Sequence, residues 1–207
     1  MCKGMLGKKV GMTSVFASDG RSVPVTVVQV GPCVVTQVKS EKTDGYSAVQ
    51  LGFDEKSMNK CSMPQKGHFE KSGNNGFATL REFRVADAAE YEAGQSITLE
   101  MFSVGDRITV SGVSKGRGFA GTVKRYGFGR GPETHGSRNH RAPGSVGCSA
   151  WPARIVKGKK MPGHLGVDRK TVKNLEIVDI RPEENIVLLK GAVPGAKTGV
   201  IEIKKTV

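Results

Sequence analysis

Apolar and β-branched residues recur in short runs in two separate parts of the chain, and most of these runs alternate with polar residues. Alternation with a period of two is typical of half-buried β-strands. Gly31-Pro32 separates two of the runs, and the polar residues 182–185 separate another two, as turns would. Many short strands joined by such turns predict a mainly β fold, either a small barrel or a sandwich. The predicted strands cover residues 23–30, 33–38, 46–53, 106–113, 172–180, 186–189 and 200–203.

Helical patterns are scarce, and the sequence predicts few, short helices. Asp87 is followed three residues later by Glu90, which fits an N-terminal capping arrangement, and Gly94 would end this helix. A second short helix is predicted at residues 120–126, ending before Gly127. Residues 54–79 are polar and contain three glycines, so residues 54–100 are predicted to be a loop-rich insertion.

Charge divides the chain more sharply than hydrophobicity does. The 207 residues carry 32 Lys and Arg against 19 Asp and Glu, a net charge of +13. Residues 114–170 hold 13 of these basic groups and two acidic ones, whereas the other 150 residues are close to neutral. The same segment contains 12 of the 28 glycines. We therefore predict a β-domain built from residues 1–113 and 171–207, interrupted by an extended basic, glycine-rich segment at 114–170.

The basic segment has too few large aliphatic residues to bury a core of its own, so its ordering requires an external partner. RNA suits its composition, because Lys and Arg neutralise phosphates, glycines allow close approach, and aromatic rings stack on unpaired bases. DNA is less favoured, since no recognition helix is visible. The alternative is a solvated, disordered loop. The candidate RNA-binding residues are Lys115, Arg117, Phe119, Lys124, Arg125, Arg130, His135, Arg138, His140, Arg141, Ser145, Cys148, Trp151, Arg154, Lys157, Lys159, Lys160, His164 and Arg169.

Two binding motifs in this segment are weak. Residues 116–121 match the GxGxxG pattern, but a dinucleotide fold would need a long crossover helix and a second parallel strand, and glycines follow almost at once. His135, His140, Cys148 and His164 are spaced too widely for the ligand pairs of a structural zinc site. We predict no cofactor and no metal, and we expect the histidines to contact phosphates or bases.

Catalysis also has little support. The segment's only carboxylates are Glu133 and Asp168, and no GxSxG motif occurs, so paired acid and base chemistry is not indicated. An RNA-modifying enzyme would need a pocket that bears carboxylates or fits a cofactor, and the sequence offers none. A free-standing RNA chaperone is a second alternative, which co-sedimentation with ribosomal subunits would separate from a ribosomal protein.

The remaining sequence features favour a cytoplasmic location. No apolar run approaches the roughly 18 residues of a membrane-spanning helix, and the N-terminus lacks the apolar stretch of a secretory signal. Cys2, Cys33, Cys61 and Cys148 are scattered without a CxxC pair, as expected of free thiols in a reducing compartment. We therefore expect neither a membrane nor a small-molecule substrate among the partners.

Five motifs, in order along almost the whole chain, resemble the bacterial ribosomal protein L3 family of the large subunit. The first reads GMLGKKVGMT and the third reads HRAPGSVG. Any one of them is moderate evidence, but their combination and order are highly specific. The motifs lie at residues 4–13, 104–119, 140–147, 157–161 and 190–195.

The resemblance implies a structural protein without catalysis of its own. It implies a translation-protein-like β-barrel on the ribosome surface and a long extension that penetrates the ribosomal RNA towards the peptidyl transferase centre. It also implies early binding during large-subunit assembly, beside ribosomal proteins of the L14 and L19 families. By motif position, residues 114–131 would be the neck of the extension and residues 137–160 its deep finger, with residues 148–151 near the tip.

One departure from the family pattern concerns a modified residue. Many bacterial relatives carry a methylated glutamine immediately after the HRxPGSxG motif, and this chain has Cys148 at that position. We therefore expect that modification to be missing here, so that no methyltransferase partner is implied.

Overall fold

The computed structural model describes residues 4–73 and 75–206 and divides the chain into two compact units. Unit 1 comprises Met1–Val113 together with Arg169–Val207, and unit 2 comprises Ser114–Asp168. Arg169 and Lys170, which the charge pattern grouped with the basic segment, belong to a strand of unit 1. The boundary between the units therefore falls between residues 168 and 169 and not between residues 170 and 171.

Strands dominate the described residues, so the prediction of a mainly β chain with few short helices is confirmed. The strands are β1 (Gly4–Phe16), β2 (Ser22–Val30), β3 (Cys33–Lys39), β4 (Ala48–Lys56), β5 (Gly76–Arg84), β6 (Ser96–Ile97), β7 (Arg107–Val113), β8 (Phe119–Ala120), β9 (Gly163–His164), β10 (Arg169–Arg181), β11 (Ile186–Lys190) and β12 (Val200–Lys205). The α-helices are α1 (Glu41–Asp44), α2 (Met63–Phe69) and α3 (Thr122–Tyr126). Short 3₁₀ turns occupy Met58–Lys60, Glu70–Ser72, Leu99–Met101 and Pro182–Glu184.

Six antiparallel strands of unit 1 form a closed sheet in the order β1-β12-β7-β10-β11-β2, with β2 paired to β1. Closure leaves no free edge in this sheet. Alternating residues point inward and are fully buried, as Ile108 and Val110 of β7 and Ile201 and Ile203 of β12 illustrate. These side chains form the main hydrophobic core of unit 1, and their burial is its principal stabilising contribution.

Strand β1 was not predicted, because glycines and lysines interrupt its apolar pattern. Gly7 is required by the packing: a Cβ there would lie 2.8 Å from the carbonyl oxygen of Gln29 on β2. Lys9 is buried, and its ammonium group donates to the carbonyl oxygens of Val193 (2.8 Å) and Gly195 (3.3 Å). Both residues look like surface or loop residues in sequence, yet both lie in the wall of the closed sheet.

The second sheet has the order β5-β4-β3-β6, so the predicted strands at 33–38 and 46–53 lie outside the closed sheet. The prediction that residues 54–100 form a loop-rich insertion is wrong in part, because helix α2 and strand β5 lie within them. Strand β5 pairs with β4 along its length, and Phe69 of α2 packs edge-on against Phe77 of β5, with the ring centroids 5.7 Å apart. A few buried aromatic residues organise this polar region.

The helix predicted to begin at Asp87 and end at Gly94 is also wrong. The Asp87 carboxylate accepts a hydrogen bond from the backbone N–H of Ala89 (2.9 Å), as in a capped helix, but the chain makes a single turn there. Only Ala88 of this turn is buried, so no apolar face supports further helical turns. The second predicted helix is confirmed as α3, and Gly127 ends it in a left-handed conformation with φ of 71°.

The cysteines and the lengths of the helices complete the description of the fold. Cys33 and Cys61 are buried, Cys61 and the exposed Cys148 are free thiols, and Cys2 lies outside the described residues. None of the helices in the described part of the chain has the length and apolarity required to cross a membrane.

Candidate nucleic-acid interface

Unit 2 begins and ends as a narrow antiparallel ladder that brings its two arms together. Strand β8 pairs with β9, and beyond this pair the Arg117 N–H donates to the Leu165 carbonyl (2.8 Å). The Ser114 N–H donates to the Asp168 carbonyl (2.9 Å). Gly166 sits where the arms touch, with φ of 85°, and a Cβ there would lie 2.2 Å from the Lys115 carbonyl oxygen. This neck fixes where the rest of unit 2 starts and returns.

Helix α3 follows the neck on the outgoing arm and carries the aromatic and basic residues closest to it. Thr122 is buried, whereas Lys124 on the same helix is exposed. The Tyr126 ring lies beside that of Phe128, with centroids 6.2 Å apart. The helix has only five residues because Gly127 leaves the right-handed region.

Residues 127–160 include the predicted deep finger at 137–160 and are called the finger from here on. They contain neither helix nor strand. All of these residues are described, and none of them is buried. Seven of them are Lys or Arg and one is acidic: Glu133, whose carboxylate lies 3.1 Å from the Arg130 guanidinium. The other Arg side chains, at 138, 141 and 154, form no ion pair within the described structure. The finger is therefore an uncompensated cationic surface without a core.

Within the finger, residues 131–140 form a loop whose ends meet. The Gly131 N–H donates to the His140 carbonyl (3.0 Å), and the Nδ1 of His140 lies 3.0 Å from the carbonyl oxygen of Pro132. Since a carbonyl oxygen only accepts, Nδ1 is the donor in this contact. Gly131 lies so close to Asn139 that a Cβ would be 1.9 Å from its carbonyl oxygen. This stretch consequently has a defined shape despite its exposure.

Two large aromatic rings of unit 2 are highly exposed. Trp151 is 84% exposed and Phe119 is 79% exposed. Single exposed apolar rings are common on protein surfaces, but rings this exposed in a cationic segment are available to stack on unpaired bases. Cys148 and Ser145 lie in the same fully exposed stretch as Trp151.

Other site chemistries are not assembled in the described part of the chain. It contains no group of three or more His, Cys, Asp or Glu residues arranged to hold a metal ion. The GxGxxG stretch leads through β8 into the five-residue helix α3, and β8 pairs antiparallel with β9. A dinucleotide site at a strand–helix crossover requires parallel strands, so this local geometry does not match one.

Comparison with known proteins gives the family. The profile of the family described as Ribosomal protein L3 matches residues 54–185, more than half of the chain. The chain belongs to the ribosomal protein L3 family. It is 70% identical to the large ribosomal subunit protein uL3 of Desulforapulum autotrophicum over 207 residues, the full length of both chains. It is 60% identical to that of Desulfatibacillum aliphaticivorans, over 99% of this chain and 97% of the relative. The corresponding protein of Carboxydothermus hydrogenoformans is 50% identical over the full chain and 99% of the relative.

The ribosomal protein L3 family is a family of structural proteins and not of enzymes. The sequence analysis predicted no catalytic residues, in agreement with this membership. Of the nineteen candidate RNA-binding residues, eighteen lie in unit 2, and all of these except Arg125 are exposed. Arg125 is half-buried and donates to the Met161 carbonyl (2.8 Å).

Arg169 is the candidate that the structure places elsewhere. It belongs to β10 of unit 1, where its guanidinium forms an ion pair with Glu202 of β12. Arg81 of β5 pairs with the same carboxylate at 3.1 Å. Arg169 is therefore engaged in an ion-pair network within the sheets of unit 1.

Sequence reasoning missed the residues that give unit 2 its shape. Gly131, Gly163 and Gly166 each sit where a Cβ would collide with the opposing arm or loop. Tyr126 was expected to stack on bases, but its contacts with Arg125 and Lys160 were not predicted. Glycine abundance was the only signal available, and it does not distinguish these positions from Gly129, around which there is open space.

Proposed function

We propose that this chain is a structural constituent of the large ribosomal subunit, in the bacterial cytoplasm, and that unit 2 binds the ribosomal RNA. The relatives' names, each a large ribosomal subunit protein uL3, support the first part over the full length of the chain. The second part is supported above all by the finger, 34 consecutive residues with no buried member and a charge of seven cations against one anion.

RNA is favoured as the partner because the finger has no buried apolar residues to stabilise its conformation. Fixing one residue of backbone costs about 1–2 kcal/mol, and burial of apolar groups normally offsets that cost. With no buried residue, the finger needs another compensating interaction, and phosphate contacts with release of counterions supply one. Exposed rings such as Trp151 add stacking on unpaired bases.

The finer features implied by the family resemblance are part of this proposal. The closed six-stranded sheet supports assigning unit 1 as the translation-protein-like small barrel, and the exposed finger suits an extension that reaches towards the peptidyl transferase centre. Early binding during subunit assembly and contact with the L14 and L19 families also belong to it. Cys148 is proposed to be unmethylated, so a mass spectrum of the purified protein should show no added methyl group on the peptide that contains it.

Charge removal from the finger tests the proposal. A variant with Arg138, Arg141 and Arg154 changed to Gln should bind a transcript of the large-subunit rRNA more weakly. The slope of log K against log salt concentration, the salt slope, should fall in magnitude by about 2–3.

The matched control removes three exposed lysines from unit 1, Lys42, Lys60 and Lys71, again as Gln. This control should retain nearly the wild-type slope and should co-sediment with large subunits through a salt wash. Equal slopes for the two triple variants would contradict RNA binding by the finger, and a wholly free pool of wild-type protein would contradict the ribosomal assignment.

A further inference from the structure

Arg125 on the outgoing arm of unit 2 reaches across to the returning arm. Its Nη1 donates to the carbonyl oxygen of Met161 at 2.8 Å, across a sequence separation of 36. The side chain is half-buried, whereas the neighbouring Lys124 is exposed. A guanidinium that faces its own backbone has fewer donors available for RNA than the lysine beside it.

Gly163 shows how closely this contact is fitted. A Cβ at that position would lie 2.5 Å from the Nη1 of Arg125 and 3.2 Å from the central guanidinium carbon. Only the absence of a side chain at 163 leaves room for the planar group against the returning strand β9. An alanine there would therefore displace the guanidinium without altering any charge.

Tyr126 completes the contact between the arms. The guanidinium carbon of Arg125 lies 5.0 Å from the centre of the Tyr126 ring, and the ammonium of Lys160, on the returning arm, lies 5.8 Å from it. Both distances are within the range of attraction between a cation and an aromatic face. The ring thus interacts with a cation from each arm at the base of the finger.

We infer that Arg125 is a positioning residue, which fastens the two arms at the base of the finger and so presets the finger's direction. The role rests on the proposed binding of ribosomal RNA by unit 2, and it distinguishes Arg125 from the exposed basic residues that would contact phosphates. One guanidinium nitrogen donates to the Met161 carbonyl while the central carbon lies over the Tyr126 ring, and the compact ammonium of a lysine does not reproduce both contacts.

Hydrogen exchange of the free, full-length protein tests the fastening without any RNA. In Arg125→Lys and in Gly163→Ala, amides of residues 163–166 should exchange at least about tenfold faster, the loss expected for one charge-assisted hydrogen bond. Lys124→Gln should leave this exchange unchanged. Wild-type exchange in both Arg125→Lys and Gly163→Ala would overturn the inference.

Binding to a transcript of the large-subunit rRNA then separates positioning from phosphate contact. Arg125→Lys and Gly163→Ala should each weaken binding several-fold with the wild-type salt slope, because neither loses a charge. The variant that combines Arg125→Gln with Gly163→Ala should be no worse than Arg125→Gln alone, as for two changes that break one interaction. Lys124→Gln should instead lower the slope by about 0.7–0.9.

Retention of wild-type affinity by Arg125→Lys and Gly163→Ala, with a lower slope for Arg125→Gln, would identify Arg125 as a phosphate contact and overturn its positioning role. If wild-type protein itself bound the transcript without salt dependence, the proposed function would fail. The exchange measurement on the free protein would still decide whether Arg125 fastens the arms.

Discussion

Substitution of Gly131 by Ala should weaken RNA binding without removing any charge. The new Cβ would lie 1.9 Å from the carbonyl oxygen of Asn139, and this obstacle is backbone and not a flexible side chain. The two ends of the loop at 131–140 must therefore separate. The loop would lose the hydrogen bond from the Gly131 N–H to His140 and the one from His140 to Pro132.

The size of the effect follows from those two bonds. Each contributes about 0.5–1.5 kcal/mol net, so restoring the loop's shape on the RNA would cost about 1–3 kcal/mol. That cost corresponds to an affinity about 5-fold to 150-fold weaker. Because no cation is removed, the salt dependence of binding should stay as in the wild type.

The assay is filter binding of the full-length protein to a large-subunit rRNA transcript at several salt concentrations. Gly129→Ala is the matched control, since a Cβ there meets nothing within 4 Å. This control should bind like the wild type. Indistinguishable affinities for the two alanine variants would refute the view that the shape of the 131–140 loop contributes to binding.

Three other substitutions test separate parts of the structure. Ile108→Ala, in the core of unit 1, should lower the free energy of unfolding by about 2–5 kcal/mol in urea; a loss below 1 kcal/mol would contradict its packing. The pKa of Asp106 is lowered chiefly by the hydrogen bond from Lys205 and also by the Ser103 N–H. Asp106 therefore stabilises the fold above about pH 4, its usual pKa, and this contribution is lost as the pH falls through its lowered folded-state value. Asp106→Asn should be less stable than the wild type at pH 7, and the difference should shrink at pH 3; a constant difference would argue against the ion pair. Trp151→Ala should weaken rRNA binding by about 1–3 kcal/mol at unchanged protein stability, as measured by filter binding and urea unfolding.

The predictable parts of unit 1 are those where packing repeats along the chain. Strands such as β7 and β12 bury every second residue, so their alternation of apolar and polar positions is visible in the sequence. Strand β1 was missed because the residues that explain its pattern are distant in sequence. Gly7 is required by close contact with the backbone of β2, and the ammonium of Lys9 donates to carbonyl oxygens more than 180 residues away. Neither requirement leaves a local pattern.

In unit 2, composition predicted the chemistry of the surface but not its geometry. An excess of cations with few aliphatics indicated a segment without a core, and the lack of any buried residue in the finger agrees with that prediction. Arg125 and Lys124 are adjacent and look equivalent in sequence. They differ only because Gly163, nearly 40 residues later, leaves room for one of them to cross between the arms.

Ultraviolet crosslinking of intact large subunits that contain this chain tests the central claim most directly. Peptides from residues 127–160, above all the one containing Trp151, should carry nucleotides of the large-subunit rRNA. Crosslinks confined to unit 1, with the finger's peptides recovered unmodified, would contradict the assignment of unit 2 as the RNA-binding part of the protein.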